Sequence, residues 1–284
     1  MADSSRTPAS RYLSPELFRD KIVLITGGGS GIGMATTQAF LDCGATVLIA
    51  SRNEERLAAA AEKMRSEGDG DRKVDWVKLD IRELDQIEDL ANFIKEKYGR
   101  LDILVNNAGG QFPSTAESIK PKGWDAVIRN NLNGTWYLTQ SMANHFFIPQ
   151  KSGNIVNVIA NVFRGFPGMA HTGAARAGVE NLTKSLAVEW APYQIRINAV
   201  APGIIKSTGL EQYPPALLQG IASSIPMKRL GTIDEVAWSV LFLASPLAAY
   251  TSGETIYQDG AMRLWGSIWK VPDPAPAASA DSEG

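Results

Sequence analysis

Short apolar runs rich in β-branched residues alternate with longer segments of helical spacing along most of this chain. KIVLIT (21–26) runs straight into glycines, the mark of a buried strand. Residues 32–43 follow with apolar positions spaced for a helix, and ATVLIAS (45–51) is the next strand. The Ala-, Glu-, Arg- and Lys-rich stretch 54–67 predicts a second helix, VDWVKLD (74–80) a third strand, and 85–98 a third helix. LDILVNNAG (101–109) is a fourth strand ending in Asn and Gly. GNIVNVIA (153–160) and IRINAVAPG (195–203) are two more, each after a helical segment. Strands alternating with helices predict an α/β fold. Its parallel sheet would be doubly wound and covered on both faces, with right-handed crossovers.

Composition narrows the picture. The chain has 284 residues, a formal net charge of -2, 44% hydrophobic and 20% charged residues. A charge near zero argues against a nucleic-acid partner held by phosphate neutralisation. No run approaches the roughly 18 apolar residues that a membrane span needs. One Cys and two His rule out a disulfide framework, a Cys-rich zinc site and a three-His metal centre, and no metal site is expected. No repeat or linker interrupts the middle of the chain, so a single domain is expected over 16–266. The polar, Ser-rich stretch 1–15 lacks the apolar core of a secretory signal. The stretch 267–284 is rich in Pro, small residues and acids, reads as a disordered tail, and carries no peroxisomal S-K-L address. A cytoplasmic protein is the expectation.

The first strand ends in Gly27-Gly28-Gly29-Ser30-Gly31-Ile32-Gly33. Glycines allow a sharp turn and a close backbone approach to a pyrophosphate. The helix that follows aims its free N–H groups and positive dipole end at the anion. A purely structural turn is the plain alternative; a strand before and a helix after favour phosphate binding.

The spacing T-G-x-x-x-G-x-G resembles that of the short-chain dehydrogenase/reductase family, and further motifs agree in order. They are Asn106-Asn107-Ala108-Gly109, Asn131 within N-N-L-N-G, Pro202-Gly203, and Asp259-Gly260-Ala261 in place of D-G-G. The resemblance implies a Rossmann-type sheet, a nicotinamide cofactor and a homotetramer built on the helices after strands four and five. It places the cofactor against Gly27, Ser30, Gly31, Ile32 and Gly33. Asp80 and Ile81 fall beside the adenine, Asn107, Ala108 and Gly109 at the adenosine half, and Pro202, Gly203 and Ile205 near the carboxamide. The second strand ends at Ser51, Arg52 and Asn53, without the acid that bonds both ribose hydroxyls in NAD enzymes. The planar fork of Arg52 suits a 2′-phosphate instead, so NADP(H) is expected.

The family's catalytic positions are altered. Its Tyr-x-x-x-Lys falls on Thr172 and Arg176, and its assisting Ser on Ile159 or Ala160. A Thr hydroxyl can donate a hydrogen bond but is a poor acid, and Arg176 holds a charge without giving up its proton. Such a site is ill equipped for alcohol oxidation, which needs a base. Reduction of a conjugated C=C bond needs only donors that stabilise an enolate-like oxygen. Three runs, NNAGGQF (106–112), HTGAARAGVENLTKSLAVEWA (171–191) and SPLAAYTSG (245–253), resemble the branch holding the peroxisomal trans-2-enoyl-CoA and the 2,4-dienoyl-CoA reductases.

Gln111 matches the amide that contacts the thioester oxygen there, and Asn161 stands where the mitochondrial branch has a Tyr. Thr172, Gln111 and Asn161 are thus candidate oxyanion donors, Arg176 a ribose-orienting cation and Asn131 the family's helix asparagine. The expected activity is NADPH-dependent reduction of 2-enoyl or 2,4-dienoyl acyl-CoA. Two alternatives stay open: a carbonyl or alcohol oxidoreductase acting on 3-oxoacyl or terpenoid substrates, and a catalytically degenerate NADP-binding protein.

Glu180 and Lys184 form a second four-residue pair, read as a solvated helix stabiliser. His171 reads as a loop residue with a structural hydrogen bond, or as a proton shuttle. His145 reads as packing beside Phe146 and Phe147, and Cys43 as a small buried apolar residue. The segment 206–226, with Leu210, Leu217, Leu218 and Ile221, is where the family places a substrate lid.

Overall fold

The computed structural model of the chain describes residues 9–67, 72–207, 210 and 220–264. Seven parallel strands form its central sheet in the order β3-β2-β1-β4-β5-β6-β9. They are β1 (Ile22–Thr26), β2 (Thr46–Ser51), β3 (Val74–Lys78), β4 (Ile103–Asn106), β5 (Gly153–Val158), β6 (Ile195–Pro202) and β9 (Thr255–Gln258). A two-residue pair, β7 (Ile205–Lys206) and β8 (Gly231–Thr232), lies apart. Strand order reverses between β1 and β4: Val23 of β1 pairs with Val47 of β2 on one side and Ile103 of β4 on the other. This is the doubly wound Rossmann-type topology that the alternation predicts.

The central strands are apolar throughout because both faces are covered. On one side pack α1 (Gly31–Asp42), α2 (Glu54–Ser66) and α9 (Ile233–Ala244), through Phe40, Leu57, Val236 and Leu241. On the other pack α3 (Leu84–Tyr98), α5 (Gly134–Met142) and α7 (Ala170–Glu189), through Ile87, Leu138 and Leu186. Local chemistry starts these helices where they start. The Asn53 side chain accepts the Arg56 N–H at 2.8 Å to cap α2. Thr232 and Glu235 cap α9 reciprocally.

The structure departs from the sequence pattern in three places. The predicted strands 74–80, 101–109 and 153–160 stop at Lys78, Asn106 and Val158, because the chain leaves the sheet there to wall a cleft. β9 carries a mixed pattern (TIYQ) and half-buried positions, being an edge strand, and gives no periodic signal. The helical segment before β5 is broken by two π turns, Arg129–Asn133 and Ala143–Phe147, between α4 (Pro121–Ile128), α5 and the short α6 (Ile148–Gln150).

Packing begins at residue 9, ahead of the expected domain start. Ala9 is buried, its N–H donates to Asp42, and Tyr12 meets the Trp238 ring edge to face. Of the expected tails 1–15 and 267–284, residues 1–8 and all of the second lie outside the described residues, as do 265–266 and the lid positions Leu217 and Leu218. Of that segment, Leu210 and the short α8 (Ile221–Ser224) are described. Among the described residues no helix is long and apolar enough to cross a membrane.

Candidate active site

A cleft of about 1370 Å³ opens along the carboxyl ends of β1, β2, β4 and β5, at the point where strand order reverses. Pockets for one small molecule span about 300–1,000 Å³, so this one has room for a dinucleotide and a substrate together. It is lined by Gly27, Ser30, Gly31, Ile32, Gly33, Ser51, Arg52, Asn53, Asp80, Ile81, Asn107, Ala108, Gly109, Gln111 and Arg176, as the sequence anticipates. A smaller recess of about 470 Å³ lies near the other end of β1–β3. Its Arg65 is tied to the Val74 carbonyl and its Arg72 to Asp42, so both of its arginines are matched within the chain.

The phosphate end is built by close approach. At Gly33 a Cβ would lie 2.2 Å from the Gly27 carbonyl oxygen and 2.5 Å from Asn107 Nδ2, so only glycine fits. Thr26 Oγ1 accepts from the amides of Asn107 (3.0 Å) and Ala108 (2.9 Å), which binds the β4 loop to the glycine turn. Ser30 is the N-cap of α1 in extended conformation, and its hydroxyl caps nothing. The first amides of α1 therefore lack a side-chain acceptor and border the cleft, as an anion site requires.

Beyond the end of β2, Arg52 sits at the rim, and Arg56 joins it. Sequence reasoning missed Arg56; its position four residues after Arg52, in the first turn of α2, was the available signal. Asp80 is occupied by Arg82, whose Nε donates at 2.8 Å; that bond chiefly holds its carboxyl below the usual range, and the Arg52 charge adds to the effect. These residues fit a dinucleotide: donors for a pyrophosphate, and two cations where a 2′-phosphate would lie.

At the opposite end stands Arg176, buried on α7 and without a hydrogen bond or ion pair among the described residues. Burial pushes its guanidinium down to about 10. Gly109 makes room for it: a Cβ there would fall 2.1 Å from Arg176 Nη2 and 2.7 Å from Asn131 Oδ1. Asn131 lies in the first π turn. Its Nδ2 donates to the Gly110 carbonyl (2.7 Å) and the Val127 carbonyl (2.9 Å), and its Oδ1 accepts the Gly110 amide (3.2 Å). The asparagine thus clamps the loop that carries Gln111. Asn130 and Ser207 also line this end; the π turn decides which side chain faces the cleft, and no local pattern announces it.

A buried chain of hydrogen bonds crosses beneath the site, from Thr139 through Asn106 and Asn157 to Thr183, each link 2.8–2.9 Å. It ties α5 to α7 through β4 and β5.

Other sequence candidates sit elsewhere. Thr172 is fully buried on the first turn of α7, with its hydroxyl 3.3 Å from His171 Nδ1. Asn161 Nδ2 donates to Asp259 at 2.8 Å, and Asp259 also accepts the backbone amides of Ala261 and Arg263. Pro202, Gly203 and Ile205 are not among the residues lining the cleft; Ile205 is buried and pairs with Gly231. Glu180 pairs with Lys184 at 3.3 Å and also accepts the Tyr257 hydroxyl at 3.2 Å, so it anchors the edge strand as well as the helix. His145 is not a packing residue: it is exposed and pairs with Glu88 at 3.0 Å, while Phe146 and Phe147 fill the core. Cys43 is buried as expected, and burial pushes its thiol up to about 11. His171 is not in a loop but is the second residue of α7, fully buried.

The family model described as "Enoyl-(Acyl carrier protein) reductase" matches residues 27–263. A 3-oxoacyl-(acyl-carrier-protein) reductase FabG of Thermotoga maritima is 41% identical over 246 residues, covering 85% of this chain and 97% of that protein. A peroxisomal 2,4-dienoyl-CoA reductase of Pongo abelii is 38% identical over 262 residues, covering 90% and 89%. Among solved structures, the citronellol catabolism dehydrogenase AtuB of Pseudomonas aeruginosa PAO1 superposes with a TM-score of 0.80 at 39% identity, covering 89% of this chain and 98% of that one.

Proposed function

The chain belongs to the short-chain dehydrogenase/reductase family of oxidoreductases, and we propose that within it the chain is an NADPH-dependent reductase of the C=C bond of 2-enoyl or 2,4-dienoyl acyl-CoA thioesters. One observation carries this reading. The cleft end remote from Arg52 offers Gln111, Asn130, Ser207 and Arg176, with no Tyr, Lys, Cys, His or carboxylate among its described lining residues. Among the described residues it is a site of hydrogen-bond donors without an acid or base.

NADPH, when bound, supplies the hydride that the β-carbon receives. The chain's own part is to hold the cofactor and to stabilise charge on the substrate. The amides at the start of α1 meet the pyrophosphate, and Arg52 with Arg56 the 2′-phosphate. Arg176 and Gln111 face the oxygen that becomes enolate-like as the β-carbon is reduced, a preorganised positive and dipolar environment. The buried guanidinium, which meets no partner among the described residues, gains one in that oxygen and in the ribose hydroxyls. The α-carbon then takes a proton from water.

The direct test is to incubate the purified protein with NADPH and crotonyl- or decenoyl-CoA. Loss of absorbance at the nicotinamide band, with the saturated thioester as product, is expected. No loss alongside tight NADPH binding would overturn the reading. The likeness to the FabG and AtuB proteins favours a second reading, reduction of a 3-oxoacyl or terpenoid carbonyl. Product analysis separates the two, since only the second yields an alcohol.

The cofactor assignment has its own test. Arg52→Asp combined with Arg56→Ala removes two charge-assisted contacts worth about 1.5–3 kcal/mol each and adds a repulsion. NADPH affinity is expected to fall at least about a hundredfold, with NADH affinity little changed. Titration of cofactor fluorescence with both nucleotides decides it; equal losses for the two would remove the 2′-phosphate assignment.

We also propose a homotetramer through α4, α5 and α7. Trp124 on α4 and Val188 on α7 are exposed apolar residues on those helices, in keeping with a buried interface. Light scattering of the purified protein reads the state directly.

A further inference from the structure

We propose that His171 is a substrate-binding group, whose Nε2–H donates a hydrogen bond to the carbonyl oxygen of the bound substrate once the Phe112 ring turns away from it. The inference rests on the reading above only for the identity of that carbonyl compound.

The imidazole is fully buried on the first turn of α7. Its Nδ1 accepts the Thr172 backbone N–H at 2.8 Å, and the Thr172 hydroxyl lies 3.3 Å from the same nitrogen. The Thr172 amide is shared between Nδ1 and the Met169 carbonyl at 2.9 Å, and an amide can only donate, so Nδ1 is the lone-pair nitrogen and the ring proton sits on Nε2. That nitrogen is buried and has no hydrogen-bond partner among the described residues. An unmet buried donor costs about 1–3 kcal/mol, which an apolar side chain of similar size would avoid. A chain that keeps such a donor in its core, beside the active cleft, keeps it for a ligand.

What covers the imidazole points the same way. The Phe112 ring meets it edge to face, with centroids 4.5 Å apart at 76°. An aromatic face is at best a weak acceptor, so a carbonyl oxygen would displace it. Phe112 is 41% exposed and directly follows Gln111, which lines the cleft. The backbone on either side is held: Asn131 clamps Gly110, and the Ser114 amide donates to the Gly168 carbonyl at 2.8 Å. With the backbone held, the Phe112 ring, which rests against Gly123, is the part that must turn to open a path from the Gln111 end of the cleft to Nε2.

The chain has two histidines, and the other, His145, lies at the surface paired with Glu88. Two-bond ¹H–¹⁵N spectra of protein labelled in histidine therefore show two ring patterns. The free protein is expected to show one ring protonated on Nε2 alone. Adding decanoyl-CoA with NADP⁺, the product pair toward which the proposed reaction's equilibrium lies, is expected to move that Nε2 proton downfield and leave His145 in place. In parallel, His171→Leu is expected to raise KM for decenoyl-CoA about tenfold with a smaller change in kcat. NADPH affinity should be unchanged and the melting temperature equal or higher, while His171→Gln, which keeps an N–H donor, recovers part of the KM.

Thioester binding by calorimetry with no movement at His171 overturns this proposal and leaves the C=C reading standing. Movement with a 3-oxoacyl or aldehyde ligand but not with the thioester supports His171 and removes the thioester reading. A His171→Leu protein that melts lower with KM unchanged makes the residue structural and overturns the proposal.

Discussion

Replacing Arg176 by Met is expected to raise the melting temperature of the free protein while removing most of its reductase activity. The guanidinium is buried and meets no carboxylate or carbonyl among the described residues. Burial disfavours its charged form, the direction seen in its lowered pKa of about 10. An unpaired buried charge costs several kcal/mol relative to an apolar residue of similar shape. Met keeps much of the packing volume and drops the charge. Each kcal/mol recovered is worth roughly 2–4 °C in a domain of 150–250 residues, so a rise of several degrees is expected.

Activity should move the other way. A donor aimed at a developing oxyanion contributes about 10²–10³ in kcat, and a cation in a water-poor cleft belongs at the upper end. Arg176→Lys separates charge from geometry: the ammonium is a point charge on a different stem and should restore only part of the rate. Calorimetric melting and steady-state kinetics on the same preparations read both effects. A Met variant that melts lower and turns over normally would show that Arg176 serves the fold alone.

Gly33→Ala is expected to weaken NADPH binding by at least about a hundredfold, the loss of roughly two charge-assisted contacts. The added methyl would lie 2.2 Å from the Gly27 carbonyl oxygen and 2.5 Å from Asn107 Nδ2. Asn107 can swing aside, at the loss of its 2.9 Å bond to the Thr26 carbonyl, but the Gly27 oxygen is backbone and cannot. The start of α1 must therefore retreat from the glycine turn, and its amides lose their aim at the pyrophosphate. Overpacking of this kind costs about 1–3 kcal/mol, so the unfolding midpoint in urea should fall as well. Cofactor titration and urea unfolding measure the two losses independently. Native NADPH affinity in the variant would mean that the close approach at Gly33 does not shape the phosphate site.

Much of this architecture is legible in the chain. Apolar runs such as IVLIT and TVLIAS can only be strands buried on both faces, and the crossover helices follow from their spacing. The glycine turn is legible for a local reason: where an added Cβ would fall 2.2 Å from another residue's carbonyl oxygen, one residue type is admitted. Arg52 is legible because strand ends at the switch point face the ligand. Other features left no trace. β9 is an edge strand of four residues with half-buried positions, so burial imposed no pattern on it. The role of Arg56 emerges only when α2 is set beside the cleft.

The sequence alone determined most of the elements, their order and the glycine turn. These follow from backbone sterics and apolar periodicity, which act over a few residues. The tertiary structure decided which polar groups meet. Asn161 turns to Asp259, Asn131 turns to the Gly110 loop through a π turn, and His145 turns outward to Glu88. Among the described residues, Arg176 is left buried without a hydrogen bond or ion pair, and His171 with its Nε2 unmet. A side chain's hydrogen bonds are set by whatever the fold brings within 3 Å, often from the far end of the chain, and no spacing along the sequence encodes that.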